Sequence, residues 1–435
     1  MTLSVVPNKW LASRRLNPLF AGAAALALLA GCSGGGFEED TSNGTTEDNE
    51  QTEGDSPSSA LTSSDDPITV LIGSSGDAET TAVEDAVAQW AETSGVEASV
   101  QVAADLNQEL SQGFAGGKPA DVFYLSSELL PGFAENGSVQ AYGDLLENRD
   151  DFFTPLVENF TFDEEFYCAP KDFSTLALII NDQAWQDAGL AEEDYPSTWE
   201  ELEDVSEQLA QEYDTGLAFG AEYQRVGVFL AQAGGGLIRD GEVIANSPGS
   251  VEGLEFVKTN IESGNFAFAA DIGSGWGGEA LGTETAPMVI EGNWVTGAMT
   301  NDYPDIDYTV IELPAGPDGQ GTLQFTNCWG MAADSPNQQA AVELIEFLTS
   351  PEQQMEFSDA FGPMPSVESA KDEWKEANPE LSAFMDGAEY VQLIPAINGI
   401  QDVISDFNTQ LESLADSDPQ TIVDSVQENL EAIND

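Results

Sequence analysis

The sequence predicts an α/β protein of two lobes, in which each lobe is a mostly parallel sheet flanked by helices. Residues 68–127 read as β-α-β-α-β, an order typical of a parallel sheet with right-handed crossovers. A polar segment, residues 167–172, leads directly into an apolar strand, and a second α/β unit follows it. A chain of 435 residues exceeds one ordinary hydrophobic core, so we interpret the polar segment as a crossing between two lobes.

The charge balance of the chain is strongly acidic. It has 79 Asp and Glu residues against 11 Lys and Arg residues, for a formal net charge of -68. From Cys32 onward the chain holds 8 basic against 79 acidic residues, a balance of -71. Such a chain repels nucleic acid and anionic lipid head groups. It also repels itself, and because molar salt shortens the Debye length to about 3 Å, the composition indicates a high-salt environment. An ordinary acidic secreted protein is the alternative.

The absence of histidine limits the chemistry that the chain can perform. It excludes a Ser-His-Asp triad, a Cys-His dyad and a histidine metal site. The glycine-rich turns contain neither GxGxxG nor GxxxxGK, so a phosphate-binding loop is not indicated. We therefore predict no catalytic residue, no cofactor and no metal, although a catalytic pair of carboxylates stays open at this point.

The N-terminal segment, residues 1–31, is typical of a signal peptide. Three basic residues, Lys9, Arg14 and Arg15, precede an apolar run over residues 19–30. The run is too short to span a bilayer as a helix. Export by the general secretory route or by the twin-arginine route is compatible with the segment.

The apolar run ends in Leu29-Ala30-Gly31-Cys32, which resembles a bacterial lipobox. That resemblance implies cleavage before Cys32 and attachment of lipid to its sulfur; the alternative is a buried or free cysteine. Residues 32–66 are rich in Ser, Thr, Gly, Asp and Glu, and we predict that they form a disordered linker. The expected protein is extracytoplasmic, at the cell surface or in the periplasm, and touches the membrane through its lipid alone.

Polar residues follow the strands of the first lobe. Ligands of parallel sheets bind outside the carboxyl ends of the strands, and Glu79 and Ser126 lie just beyond two such ends. We take both as candidate ligand contacts. Turn or cap chemistry explains either residue equally well.

Three aromatic residues of the second lobe lie in polar or glycine-rich surroundings. Tyr223 stands just beyond a short strand, and Trp276 lies in a glycine-rich loop. Trp294 follows an apolar strand and is preceded by Gly292 and Asn293, so it has little local reason to be in the core. We predict a binding role for Trp294, and leave Trp276 open between binding and packing.

Several short motifs, in their order and spacing, resemble the sugar-binding class of extracellular solute-binding proteins served by ABC transporters, the class of maltose-binding protein. The similarity runs from about Ile68 to the C-terminus and is carried by Ala120-Asp121-Val122-Phe123, Ala169-Pro170-Lys171-Asp172-Phe173-Ser174, Pro196-Ser197-Thr198-Trp199-Glu200-Glu201-Leu202, Pro287-Met288-Val289-Ile290-Glu291-Gly292-Asn293-Trp294 and Cys328-Trp329-Gly330-Met331-Ala332.

The resemblance implies a type II periplasmic-binding-protein-like fold, with two lobes joined by hinge crossings near Pro170, Trp329 and Pro395. Lobe 1 is then expected to comprise residues 67–170 and 331–390, and lobe 2 residues 171–330 and 391–435. Two positions depart from the pattern of the family. Leu125 stands where maltose-binding protein has a stacking tryptophan, and Ile397 with Asn398 replaces another aromatic.

The resemblance also implies a ligand site between the lobes. The residues already named as contacts are joined by Asp172 and Phe173 at the first crossing, Tyr223 of lobe 2 and Trp329 at the second crossing. Aromatic faces cover the C–H face of a sugar ring, while carboxylates and amides bond its hydroxyls. An ion pair with Lys171 is the alternative role for Asp172. Cys168 and Cys328 lie at the two expected crossings, and in an exported protein we predict a disulfide between them.

The implied function is capture of a mono- or oligosaccharide by hinge closure and delivery to the membrane permease, by a monomer without catalysis. One alternative is a carboxylate glycosidase, which needs two carboxyl groups at a defined separation. The other is a binding protein for another solute, such as a polyamine or polyol. Few basic residues and no histidine make an anion or transition-metal solute a poor fit.

Overall fold

The computed structural model describes residues 61–239 and 241–434. The segment predicted as a signal peptide (residues 1–31), the predicted lipidation site Cys32 and the predicted linker as far as residue 60 lie outside the described residues. Among the helices that are described, none combines the length and the apolar character needed to cross a bilayer.

The described residues form sixteen strands, most of them short. In chain order they are β1 (Ile68–Ile72), β2 (Ala98–Val102), β3 (Val122–Ser126), β4 (Thr161–Phe162), β5 (Glu165–Phe166), β6 (Ala169–Pro170), β7 (Ser174–Asn181), β8 (Leu217–Phe219), β9 (Ile238–Arg239), β10 (Glu242–Val243), β11 (Phe266–Phe268), β12 (Met288–Gly292), β13 (Tyr308–Ile311), β14 (Thr322–Phe325), β15 (Asn327–Met331) and β16 (Val391–Gln392).

Within the same described residues, sixteen α-helices surround these strands. They are α1 (Asp77–Ser94), α2 (Leu106–Ala115), α3 (Leu130–Glu135), α4 (Thr154–Asn159), α5 (Asp182–Asp187), α6 (Trp199–Leu209), α7 (Tyr223–Gln232), α8 (Pro248–Ser263), α9 (Gly277–Gly282), α10 (Val295–Asn301), α11 (Gln338–Leu348), α12 (Pro351–Phe361), α13 (Lys371–Ala377), α14 (Ser382–Asp386), α15 (Ile400–Leu411) and α16 (Pro419–Glu431).

Two larger sheets define the two lobes. The sheet of lobe 1 has the order β2-β1-β3-β15-β6, and the sheet of lobe 2 has the order β11-β8-β12-β7-β14-β16, with β13 paired to β7. The eight residues of β7 are all buried, as the continuous apolar run of a central strand predicts.

The two sheets are mixed rather than mostly parallel, which corrects the prediction. The pairs β1–β2, β1–β3, β8–β11, β8–β12 and β14–β16 are parallel. The strands β7 and β15 run antiparallel to their partners β12 and β3. Each of these two strands enters its sheet directly from a crossing, so its direction is set by the connection to the other lobe and not by a helical crossover.

The second crossing lies at Thr326, and this differs from the predicted position near Trp329. The sequence predicts one strand over residues 322–332, but the structure divides it into β14 in the sheet of lobe 2 and β15 in the sheet of lobe 1. The Thr326 hydroxyl donates to the carbonyl of Asp172 at 2.6 Å. The first and second crossings are therefore hydrogen-bonded to each other.

Residues 371–389 also differ from the predicted division, which places them in lobe 1. Trp374, Phe384 and Met385 belong to one buried cluster with Ala177 and Ile179 of β7. The segment that contains α13 and α14 therefore packs on the sheet of lobe 2. The amphipathic pattern of these short helices shows which face is buried, but it does not show against which sheet.

Residues 61–66 are part of the folded structure, although the sequence predicts a linker up to residue 66. The Thr62 hydroxyl accepts a hydrogen bond from the backbone N–H of Gln338, and the Thr62 carbonyl accepts one from Gln339. The Asn337 amide pairs with Ser64 and Asp66. Thr62 thus caps α11 from a distant part of the chain, an arrangement that composition alone does not indicate.

A disulfide joins Cys168 and Cys328, whose Cα atoms are 5.6 Å apart. Both residues belong to the buried core of lobe 1, where Cys328 pairs with Pro170 across β15 and β6. The bond therefore links the two strands that lead from lobe 1 toward the crossings.

Candidate functional site

A cleft of about 930 Å³ lies between the two lobes. Lobe 1 contributes the turn after β1 with the start of α1, together with the end of α12, residues 358–363. Lobe 2 contributes residues 293–302, and the two crossings form the base. The lining combines aromatic rings, side-chain amides and hydroxyls, a composition that suits a polar ligand with an apolar face.

A buried ionic cluster, which we call the Lys171 cluster, occupies the base of the cleft. The Lys171 ammonium contacts the Asp172 carboxylate and lies 3.4 Å from Glu79 Oε1. Only 9% of the Lys171 side chain is exposed. Its Nζ lies 4.5 Å from the centre of the Tyr124 ring, and the Tyr124 hydroxyl donates to Glu79 at 3.1 Å. One cation thus holds two carboxylates and lies against an aromatic ring.

The surroundings of this cluster shift the pKa values of its members. Burial raises the pKa of Glu79, but the Lys171 ammonium and hydrogen bonds from Ser75 and Tyr124 outweigh it, so the pKa lies below the ordinary value. Burial raises the pKa of Asp172, and Lys171 offsets this only in part. Burial lowers the pKa of Lys171, yet Asp172 and Glu79 raise it above its ordinary value. The ammonium is therefore charged at neutral pH.

Trp294 is the principal aromatic group on the lobe 2 side of the cleft. It follows β12, caps α10 and is 38% exposed. Its ring meets the Phe325 ring edge-on, at a centroid distance of 5.3 Å and an angle of 90°. A Cβ atom at Gly292 would overlap the indole ring, so the close approach of ring and backbone requires glycine at that position.

A second ionic cluster, the Arg225 cluster, lies behind Trp294. The Arg225 Nη2 lies 2.8 Å from Glu291 Oε2, and its Nη1 lies 3.4 Å from Glu222 Oε1. The indole Nε1 of Trp294 donates to the same Glu291 oxygen at 2.9 Å. Burial raises the pKa of Glu291 above its ordinary value, although Arg225 and the indole N–H lower it.

Four of the eight predicted ligand contacts line the cleft: Glu79, Asp172, Phe173 and Trp294. Glu79 and Asp172 are engaged by Lys171, as the alternative interpretation of Asp172 proposes. Phe173 is only 2% exposed and packs 5.2 Å from the Phe153 ring. Trp294 therefore offers the largest open aromatic surface among the four.

The other four, Ser126, Tyr223, Trp276 and Trp329, do not line this cleft, so the predicted grouping needs correction. Tyr223 is buried against Phe407 of α15, at a centroid distance of 5.7 Å. Trp329 is buried in lobe 1 at 4.9 Å from the Tyr124 ring. Both are core residues because helices or strands distant in sequence cover them.

The remaining two residues, Trp276 and Ser126, lie outside the cleft without being core residues. The Trp276 ring lies over Gly278, next to the buried cluster of α9 and β12. Ser126 ends β3 and pairs with Asn327 of β15. Asn327 lines the cleft but Ser126 does not.

Sequence reasoning missed several cleft residues, notably Phe325, Phe361, Asn293 and Lys171 as a central cation. One signal could have found Lys171. Basic residues are so rare after Cys32 that a lysine inside the first crossing segment indicates a specific partner. The aromatic residues Phe325 and Phe361 carry no such signal. In the part of the chain that the structure describes, no group of three His, Cys, Asp or Glu side chains is placed to hold a metal ion.

The family model described as bacterial extracellular solute-binding protein matches residues 85–383 of the chain. The chain belongs to this family. Curated relatives of this solute-binding protein include proteins of Brucella abortus (strain 2308) and Brucella suis biovar 1 (strain 1330) that are described only as binding proteins. Each is 24% identical over 323 residues, covering 69% of the chain and 76% of the relative.

Solved structures share the fold of this solute-binding protein. An ABC substrate-binding protein of Listeria monocytogenes, in complex with cycloalternan, is 20% identical with a TM-score of 0.72, over 84% of this chain and 98% of that one. A cyclic α-maltosyl-1,6-maltose binding protein of Arthrobacter globiformis is 20% identical with a TM-score of 0.74, over 85% and 98%. A Mycobacterium tuberculosis protein in complex with glycerophosphocholine is 20% identical with a TM-score of 0.73, over 84% and 98%. The two-lobed type II periplasmic-binding-protein fold of the chain follows from these matches.

Proposed function

We propose that this chain is the substrate-binding component of an ABC importer, that it captures a carbohydrate between its two lobes, and that it delivers this carbohydrate to a membrane permease. The observation that carries the proposal is Trp294, an aromatic ring that stays partly open in a cleft lined by Asn293, Asn301 and Asn327. An indole face beside amides and hydroxyls fits the apolar face and hydroxyl rim of a sugar ring.

The charge of the cleft supports an uncharged ligand. Its charged lining residues are Asp77, Glu79, Lys171, Asp172, Asp302 and Asp359, and Lys171 is its single cation. Two carboxylates already engage that cation. A phosphate or carboxylate ligand would find no free positive charge among the lining residues, so neutral sugars fit better than anionic ones.

Hinge closure is the mechanism that this arrangement supports. The Lys171 and Thr326 segments connect the lobes at the base of the cleft, while Trp294 and the turn after β1 face it from opposite lobes. A ligand that touches both walls stabilises the closed form through contacts that the open form lacks. The proposal includes no chemical step on the solute.

The family and the N-terminal sequence support a location outside the cytoplasm. Extracellular solute-binding proteins act outside the cytoplasm, and the lipobox-like segment ending at Cys32 would tether a monomer to the membrane surface by lipid. The acidic composition supports function in high salt. Mass spectrometry of the membrane fraction tests the anchor: a diacylglyceryl group on an N-terminal Cys32 is expected, and an unmodified Cys32 in the mature chain contradicts it.

Thermal unfolding in molar KCl tests the ligand class. The panel contains maltose, maltotetraose, tagatose, glycerophosphocholine and spermidine. We expect a neutral sugar to raise Tm, because a ligand that binds only the folded state stabilises it by mass action. A Tm increase with spermidine or glycerophosphocholine alone would replace the sugar by another solute, and release of monosaccharides from maltotetraose would indicate a glycosidase.

A matched pair of variants sharpens this test. Trp294→Ala removes the ring in the cleft, whereas Trp276→Ala removes a tryptophan of the same lobe that lies outside it. Each variant is compared with its own ligand-free Tm. We expect the sugar-induced Tm increase to be strongly reduced in Trp294→Ala and retained in Trp276→Ala.

A further inference from the structure

Trp294 is held from behind by residues that do not line the cleft. The Glu291 carboxylate is buried, with 2% of its side chain exposed, and its Oε2 accepts both the indole N–H of Trp294 and an N–H of Arg225. The guanidinium carbon of Arg225 lies 5.2 Å from the centre of the Trp294 ring and 5.8 Å from that of Phe325. Neither Arg225 nor Glu291 belongs to the cleft lining.

The network constrains the indole in more than one direction. The hydrogen bond to Glu291 fixes the position of the indole nitrogen, and the approach of the guanidinium to the ring is the geometry of a cation–π contact. The edge-on Phe325 ring and the backbone at Gly292 limit rotation of the ring. All these groups belong to lobe 2 or to the β14 end of the second crossing, so the ring can be held before any ligand arrives.

Arg225 is itself fixed by two carboxylates from different elements. Glu222 precedes α7, Glu291 lies on β12, and only 12% of the Arg225 side chain is exposed. Lysine cannot replace it without loss, because a point charge does not provide a planar guanidinium that bonds Glu291 while it faces the rings.

We propose that Arg225 and Glu291 are positioning residues for the ligand: they hold the Trp294 indole in the orientation on which a sugar ring stacks, and they determine affinity without touching the sugar. A ring that is already oriented does not lose rotational freedom on binding, which improves affinity through preorganisation. The orientation itself does not depend on the ligand, whereas the part concerning affinity rests on the proposed function.

The first experiment uses the ligand-free protein. Indole ¹⁵N labelling with NMR detection gives one N–H signal for each tryptophan, and Trp294→Phe identifies the signal of Trp294. We expect Arg225→Lys and Glu291→Gln to shift or broaden this signal while the other tryptophan signals stay in place. Arg149→Lys, which alters an exposed pair with Asp144 in lobe 1, is the control and leaves it unchanged. An unaltered Trp294 signal in both cluster variants overturns the proposal.

The second experiment measures maltotetraose binding by calorimetry in molar KCl. Arg225→Lys should weaken binding about 30-fold, the size of one desolvated cation–π contact. In the Trp294→Ala background the same substitution should change the affinity less than about twofold, because Arg225 influences sugar binding only by orienting the Trp294 ring. An equal loss in both backgrounds overturns the positioning role. If wild type does not bind maltotetraose, the carbohydrate assignment fails for this sugar, and the NMR experiment still decides whether the ring is held.

Discussion

The Lys171 cluster in the cleft and the Arg225 cluster behind it have the same components and different places in the fold. Each has one cation, two carboxylates and a neighbouring aromatic ring. The Lys171 cluster lies in a crossing and bonds Glu79 of lobe 1, whereas the carboxylates of the Arg225 cluster, Glu222 and Glu291, both belong to lobe 2. The difference teaches that position decides the role of such a cluster. At the hinge it ties parts of the chain together, and behind Trp294 it orients a ring.

The largest effect on stability is expected from the disulfide in the core of lobe 1, the lobe to which the Lys171 cluster is bonded through Glu79. The double variant Cys168→Ala, Cys328→Ala should lower the free energy of unfolding by about 5 kcal/mol on the chain-entropy estimate, because the bond closes a long loop; the two cysteines are 160 residues apart. Denaturation in molar KCl measures the change.

Thiol titration of the denatured, unreduced protein is the companion measurement. The chain contains three cysteines, so a bonded Cys168–Cys328 pair leaves at most the thiol of Cys32 to react. Two reactive thiols in addition to Cys32 would contradict the bond.

Removal of the hinge cation should be the next largest effect. Lys171→Met leaves the carboxylates of Glu79 and Asp172 buried without their cation, which costs about 3–5 kcal/mol of unfolding free energy. Lys375→Met is the matched control, since its pair with Asp386 is about one-third exposed on both sides and contributes about 0–1 kcal/mol. Equal losses in the two variants would remove the distinction between a hinge cluster and a surface ion pair.

The pH dependence of stability should have opposite signs for two of the carboxylates, Glu79 of the Lys171 cluster and Glu291 of the Arg225 cluster. Glu79 has a lowered pKa, so its contribution is present above the pKa of the unfolded chain and is lost as pH falls through the folded-state pKa. Glu291 has a raised pKa, so its contribution is present below the unfolded pKa and is lost as pH rises through the folded-state pKa.

Glu79→Gln and Glu291→Gln make this difference measurable. The unfolding free energy of wild type, less that of Glu79→Gln, should increase as pH rises through the acidic range. The corresponding difference for Glu291→Gln should decrease over the same range. One proton changes the free energy by at most about 1.4 kcal/mol per pH unit. Urea unfolding at a series of pH values in molar KCl gives both slopes, and slopes of the same sign contradict the assignment.

The smallest effect belongs to a contact that touches neither cluster. Thr62→Ala removes the hydroxyl that accepts from the N–H of Gln338 at the start of α11, and loss of such a cap costs about 1 kcal/mol. Thr62→Ser keeps the hydroxyl and should be close to wild type. Because the change is confined to lobe 1, sugar affinity should stay constant; a lower affinity in Thr62→Ala would show that lobe 1 stability alone alters the cleft.

The sequence predicted the two-lobed fold because its successive strand and helix patterns all indicate an α/β arrangement. The order β-α-β-α-β and the apolar run of β7 are local patterns, and together with the family resemblance they were sufficient for the two lobes. Tyr223 and Trp329 were misplaced because the residues that cover them, Phe407 and Tyr124, lie about 200 residues away in the sequence. The break at Thr326 was missed because residues 322–332 are mostly strand-forming and contain no proline, and only their pairing with two different sheets separates them.

The hydrogen bonds of residues 61–66 have a mechanical consequence. This segment is fastened to the start of α11, and Leu61 packs against the lobe 1 core. A pull on the chain before Leu61 is therefore borne by lobe 1 alone and does not cross the cleft. When the N-terminal part is held at a surface, lobe 1 is therefore stationary relative to that surface, and lobe 2 is the part that moves when the cleft opens.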